Sequence, residues 1–215
     1  MGIGEIVMNY DSDKLIPLFG FGAQLKFPMM NTFGKVSHCF PLTGNPGNAS
    51  VQGIEGVLQA YTNSLPFLNF SGPTLFNPLF KEAIQAAATC KQAGSDCYTI
   101  LLIMTDGEIH DMEDTINSLV LASELPLSVL IVGVGGENFK NMEILDGDAG
   151  LINSSGQKVK RDLVQFTPFR KFGGNRELLC QDLLSELPKQ VLEYMCMINK
   201  PPNPPVIVQS VYKPS

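Results

Sequence analysis

Two runs of apolar residues constrain this chain more than any other feature. Tyr98–Met104 (YTILLIM) and Ser128–Val134 (SVLIVGV) lack the polar alternation of a half-exposed strand and are rich in β-formers. A strand apolar at nearly every position must hide both faces, and that happens where helices cover a parallel sheet on both sides. Between the two runs, Asp114–Glu124 places Ile116, Leu119 and Val120 on one face of a short helix. Strand, helix, strand with buried strands predicts an α/β fold: a three-layer, doubly wound, mostly parallel sheet.

The rest of the chain is read the same way. Ile3–Asn9 reads as the last turns of a helix, Lys14–Phe21 (KLIPLFGF) as a strand, and Lys35–Phe40 (KVSHCF) as a half-exposed edge strand. Pro17 sits badly in a strand expected to be internal, because proline removes a ladder hydrogen bond. Gly44–Ser50 is a loop with Ser50 as N-cap, followed by a helix carrying Val51, Ile54, Leu58, Tyr61 and Leu65 on one stripe. Phe76, Leu79, Phe80, Ala83, Ile84 and Ala87 form a second stripe. Phe139–Leu145 is a short helix, Leu163–Phe166 a last strand, and Glu177–Ile198 a long helix kinked at Pro188. The division expected is one domain over 1–199 and an extended Pro-rich tail over 200–215.

Composition removes several function classes. The net charge is −6 with no basic cluster, which argues against a nucleic-acid partner. No apolar run approaches the roughly 20 residues of a membrane helix, and the first residues do not resemble a signal peptide. The five cysteines (Cys39, Cys90, Cys97, Cys180, Cys196) are odd in number and contain no C-x-x-C pair, so buried, reduced thiols and an intracellular setting are expected. On that reading the sequons at Asn48, Asn69 and Asn153 stay unmodified.

In doubly wound sheets, ligands bind beyond the carboxyl ends of the strands. The residues expected there are Gly20–Gln24, Gly72-Pro73-Thr74, Asp106 and Gly133–Asn138. Taken singly, Asp106 in Thr-Asp-Gly reads as a strand-ending turn and Thr74 as a helix N-cap. Asp146-Gly147-Asp148 reads as a tight turn, because an EF-hand loop would need a carboxylate or Asn where Gly150 stands and Gly where Leu151 stands. Neither Gly20-Phe21-Gly22 nor Gly133-Val134-Gly135 completes a dinucleotide fingerprint, and His38 and His110 have no catalytic or metal spacing.

Six stretches, taken together and in order, resemble the von Willebrand factor A-type domain of copines. They are Asn9–Gly22 (NYDSDKLIPLFGFG), Gly72–Pro78 (GPTLFNP), Leu101–Gly107 (LLIMTDG), Leu125–Gly136 (LPLSVLIVGVGG), Leu145–Asp148 (LDGD) and Arg161–Arg170 (RDLVQFTPFR). The resemblance implies a metal-ion-dependent adhesion site at the carboxyl edge of the sheet, holding Mg²⁺ or Mn²⁺. Thr74 matches its threonine loop and Asp106 its aspartate loop. The family's Asp-x-Ser/Thr-x-Ser/Asn loop has no match. It would lie before Met1, with the family's first strand, which sits centrally between the strands at Lys14–Phe21 and Tyr98–Met104. The resemblance thus implies a domain incomplete at its N-terminus, either a fragment or a short paralogue, with weak or absent divalent binding.

The function implied is a non-enzymatic protein-interaction module that docks other proteins on the edge bearing Thr74 and Asp106. It would be cytoplasmic and reach the plasma membrane through upstream C2 domains, which would also hold Ca²⁺ and phospholipid, in membrane-associated signalling or trafficking. Two rivals remain. One is the A-type domain of a plant RING-containing ubiquitin ligase, which would show a Cys/His ligand array in a fuller sequence. The other is a nucleotide enzyme, which needs a phosphate-cradling loop not found in this sequence.

Overall fold

The computed structural model describes residues 4, 8, 11, 13–94, 96–147 and 150–201. Among them the strands are β1 (Leu15–Pro17), β2 (Phe19–Gly20), β3 (Ala23–Phe27), β4 (Met30–Ser37), β5 (Phe40–Pro41), β6 (Ser50–Gln52), β7 (Leu68–Phe70), β8 (Thr99–Thr105), β9 (Leu127–Gly133) and β10 (Val164–Pro168). The helices are α1 (Gly53–Ser64), α2 (Asn77–Gln92), α3 (Met112–Ala122), α4 (Lys140–Leu145), α5 (Arg176–Leu183) and α6 (Leu187–Met197).

The fold is α/β with a parallel sheet in the order β10-β9-β8. All seven residues of β9 are buried, and period-two alternation sorts them between two layers. Val129 and Ile131 join Phe76 and Phe80 of the α2 side, Leu119 of α3 and Met142 of α4. Leu130 and Val132 pack on Leu183 of α5. Phe76 and Phe80 are fully buried, each stabilising the fold by about 2 kcal/mol relative to an exposed ring.

The expectation for the first apolar run needs correction. Ile103 of β8 is buried, but Leu102 is 37% exposed and Met104 63%. Strand β8 ends the parallel sheet among the described residues, so one of its faces is only partly covered.

The segment read as one strand over Lys14–Phe21 is two. β1 pairs antiparallel with β6, and β2 pairs antiparallel with β5. Pro17 then closes a three-residue ladder at an exposed position, which removes its conflict with an internal strand. The antiparallel sheet β4-β3-β7 was not foreseen, although its edge strand β4 overlaps the expected Lys35–Phe40. Gln24 lies inside β3 rather than in a loop beyond a strand end.

Ser50 is not an N-cap. It belongs to β6, and α1 starts at Gly53 with no side-chain cap. Leu58 and Tyr61 are about half exposed, so the α1 stripe is only partly buried. The long C-terminal helix is broken rather than kinked, with Pro188 in the first turn of α6 where its missing N–H is tolerated. Cys90 and Cys97 form a disulfide instead of remaining thiols, their Cα atoms 6.0 Å apart across the turn after α2. Most of the expected Ile3–Asn9 helix, and the tail beyond Pro201, lie outside the described residues.

Arg161 fastens the sheet to α6. It is 7% exposed, and its Nη2 donates to the carbonyls of Leu127 at 2.6 Å and Leu125 at 2.8 Å. Its guanidinium lies 5.6 Å from the Tyr194 ring and 6.0 Å from the Tyr98 ring. Burial pushes the Tyr98 hydroxyl above its ordinary range, with Arg161 and the Ser128 hydroxyl pulling it back.

Candidate functional site

The loops beyond the carboxyl ends of the parallel strands are tied together by backbone hydrogen bonds. After β8, Thr105 Oγ1 accepts from the Gly107 amide at 3.4 Å, turning the chain at Asp106, whose side chain is exposed. The Val134 amide after β9 donates to the Thr105 carbonyl at 2.8 Å. Gly133 cannot be larger, because an added Cβ would lie 2.9 Å from both Phe139 and Phe166. Arg170 Nη1 donates to the Gly136 carbonyl at 3.0 Å, linking the segment after β10 to the loop after β9.

Thr74 reaches this edge from the other side. Its amide donates to His110 Nδ1 at 3.2 Å, and its carbonyl accepts from the His110 amide at 2.9 Å. The same loop is anchored upstream, where the Ser71 amide donates to the carbonyl of Gly22 at 2.9 Å. Gly22 has φ +69°, a conformation glycine adopts readily. Phe21 meets Phe76 edge to face at 5.8 Å, which packs the Gly22 turn on the start of α2.

Asp111 carries the arrangement and was not singled out from the sequence. Its Oδ1 accepts from the Phe76 amide at 3.0 Å and its Oδ2 from the Asn77 amide at 2.8 Å. It thereby satisfies the free N–H groups at the start of α2 from 34 residues away. Ser118 of α3 donates to Asn77 Oδ1 at 2.6 Å, locking α2 against α3. No local signal marks the bonds from Asp111 to the start of α2 or from Ser118 to Asn77, because those partners are remote in sequence; locally Asp111 only precedes α3 and accepts from Thr115 Oγ1 at 3.4 Å. The Asp146-Gly147 turn is structural: Asp146 ends α4, and its Oδ1 accepts from the Phe166 amide at 2.9 Å.

The structure therefore joins the Thr74 loop to the loop that follows β8, four residues beyond Asp106. The model of the copine family matches residues 1–203. The chain belongs to the copine family. It is 47% identical over 204 residues to Copine-C of Dictyostelium discoideum, covering 94% of this chain and 36% of that one. Protein BONZAI 1 of Arabidopsis thaliana is 46% identical over 208 residues, covering 95% of this chain and 35% of its own length. Copine-A of Dictyostelium discoideum is 41% identical over 202 residues, 94% of this chain and 33% of the relative. The chain spans about a third of the length of these relatives.

As a copine domain of the A type, the chain has a donor set that can be compared with what a hard divalent cation needs. Thr74 and Asp106 supply a hydroxyl and a carboxylate, whereas Mg²⁺ takes six oxygens in near-octahedral geometry. Among the described residues no group of three or more His, Cys, Asp or Glu lies together in a metal-holding arrangement. These two residues alone do not fit a resident metal centre. A cavity of about 400 Å³ beside Leu145 and Lys158 and an open groove of about 850 Å³ beside Phe27 and Phe67 both lie away from Thr74 and Asp106.

Proposed function

We propose that this copine chain is a non-enzymatic protein-interaction module over 1–199, which docks a protein partner on the loop edge bearing Thr74 and Asp106. The observation that supports this reading is the paired Thr74–His110 hydrogen bond, which ties the half-buried threonine's loop to the loop that carries the exposed Asp106 four residues earlier. Such an edge is a surface rather than a pocket, and a surface suits a macromolecule better than a small substrate. Divalent cations would bind weakly through Thr74 and Asp106, with waters completing the shell and a partner carboxylate able to replace one. In the longer protein that the relatives represent, contact with phospholipid and Ca²⁺ would fall to other domains, and a cytoplasmic chain would reach the plasma membrane through them.

The test is a proximity-labelling comparison in cells between a full-length version and its Thr74→Ala/Asp106→Ala variant. Loss of defined protein neighbours, with the thermal transition unchanged, supports the reading. An unaltered set of neighbours sinks it.

A further inference from the structure

Strand β8 has an edge that the rest of the described chain does not pair. On one side it is bonded to β9 in an unbroken register, from Thr99 opposite Leu127 to Thr105 opposite Gly133. On the other side it has no partner among the described residues. Sheet edges left open to solvent are ordinarily blunted by a charge, a proline or a bulge. Thr99–Thr105 (TILLIMT) has none of these. Leu102 and Met104 stand exposed on this strand, while Leu101 and Ile103 on its other face pack in the main core. Phe19 of β2 packs on that same core, and β2 has β5 as its one partner among the described residues. Two unpaired edges on one core call for a further strand, because backbone N–H and C=O groups need partners.

The path of the chain identifies the occupant. At the end of α6 the Lys200 amide donates to the Met195 carbonyl at 2.9 Å, and the Lys200 ammonium pairs with the Asp96 carboxylate. Asp96 lies three residues before Thr99, so the chain stands at the amino end of β8 where the described residues end at Pro201. The sequence then runs Pro202-Asn203-Pro204-Pro205 into Val206–Tyr212 (VIVQSVY), which is uncharged and holds β-formers everywhere except Gln209 and Ser210. Pro201–Pro205 can span at most roughly 17 Å, and neighbouring strands lie about 4.8 Å apart, so Val206 can come level with Thr99. Val206–Tyr212 has the same length as β8. Run in parallel from that point, it brings Lys213 level with the exposed Asp106, opposite charges where the two strands end.

We propose that the open edge of β8 is a strand-accepting surface whose occupant is this chain's own segment Val206–Tyr212, added parallel to Thr99–Thr105. The segment covers Leu102 and Met104 and supplies the missing backbone partners.

Hydrogen exchange read by mass spectrometry on the intact 215-residue chain tests this without any substitution. Amides of Val206–Tyr212 should exchange at least about tenfold more slowly than those of a synthetic 202–215 peptide alone. A chain ending at Pro201 should lose protection over Thr99–Thr105, and the 202–215 peptide added in trans should restore it. Val208→Pro removes a ladder donor and should abolish the protection of the segment around it. Exchange of Val206–Tyr212 at the rate of the free peptide overturns the proposal, whether or not the shortened chain folds. Protection of β8 that survives the truncation and rises with protein concentration overturns it too and assigns the edge to a second copy. Protection of β8 that ignores both truncation and concentration likewise overturns it.

Discussion

Thr74 and His110 hold each other twice, amide to ring and carbonyl to amide, across 36 residues of chain. The ring bond is the one a substitution can remove. His110→Ala should cost about 1 kcal/mol and raise hydrogen exchange at the Thr74 amide, with little change elsewhere. Unchanged protection at Thr74 would mean that the loop is held by something else.

Asp111 caps α2 from a distant loop, and both of its oxygens are used. Asp111→Ala should destabilise the domain by about 2 kcal/mol in urea unfolding, because two N–H groups lose a charged acceptor. Asp111→Asn retains one good acceptor and should lose roughly half as much. Equal losses for the two variants would show that charge, and not the second acceptor, dominates.

Arg161 is expected to be the most costly polar position to change. Arg161→Met leaves the carbonyls of Leu125 and Leu127 without their shared donor, at about 3 kcal/mol. Lysine should not rescue it, since a compact ammonium cannot reproduce the planar contact with Tyr98 and Tyr194. A lysine variant with wild-type urea midpoint would refute this account.

Cys39 gives a pH dependence. Burial, and secondarily the charge of Glu82, push its thiol from 9.0 up to about 11. A raised folded value means the native state holds this proton more tightly than the unfolded chain. The contribution to stability is therefore complete below about pH 9 and is lost as pH rises toward about 11. Cys39→Ala should flatten the part of the pH–stability profile in that window. Iodoacetamide should also label Cys39 far more slowly than the exposed Cys196 at neutral pH.

The two-oxygen donor set sets a limit on metal effects. About 5 mM Mg²⁺ or Mn²⁺ should move the thermal midpoint of this chain by less than about 1 °C. A rise of several degrees that Asp106→Ala abolishes would reveal a fuller coordination shell than Thr74 and Asp106 provide.

Much of the parallel half could be read in the sequence. β9 was legible because every residue of Leu127–Gly133 is buried and all but Ser128 are apolar or glycine. The α2 stripe was legible because Leu79, Phe80, Ala83 and Ala87 return to one face at helical spacing. The antiparallel half was not. Whether Leu15–Pro17 pairs with Ser50–Gln52 depends on the turns between them, and strand propensity does not choose a partner. At the candidate site, Thr74 and Asp106 were legible from their places at strand ends and from the resemblance, while the bonds of Asp111 and His110 that tie the loops were invisible because those partners lie 34 to 36 residues away.

The sequence by itself determined the class of the fold, through hydrophobic periodicity, and the family, through six motifs in order. Both are properties of local spacing, which survive without coordinates. The tertiary structure decided which apolar residues stay exposed. Leu102 and Met104 lie on the terminal strand of the parallel sheet, yet as sequence each reads as a core residue. Exposure depends on what the rest of the chain brings alongside, and local spacing carries no record of that.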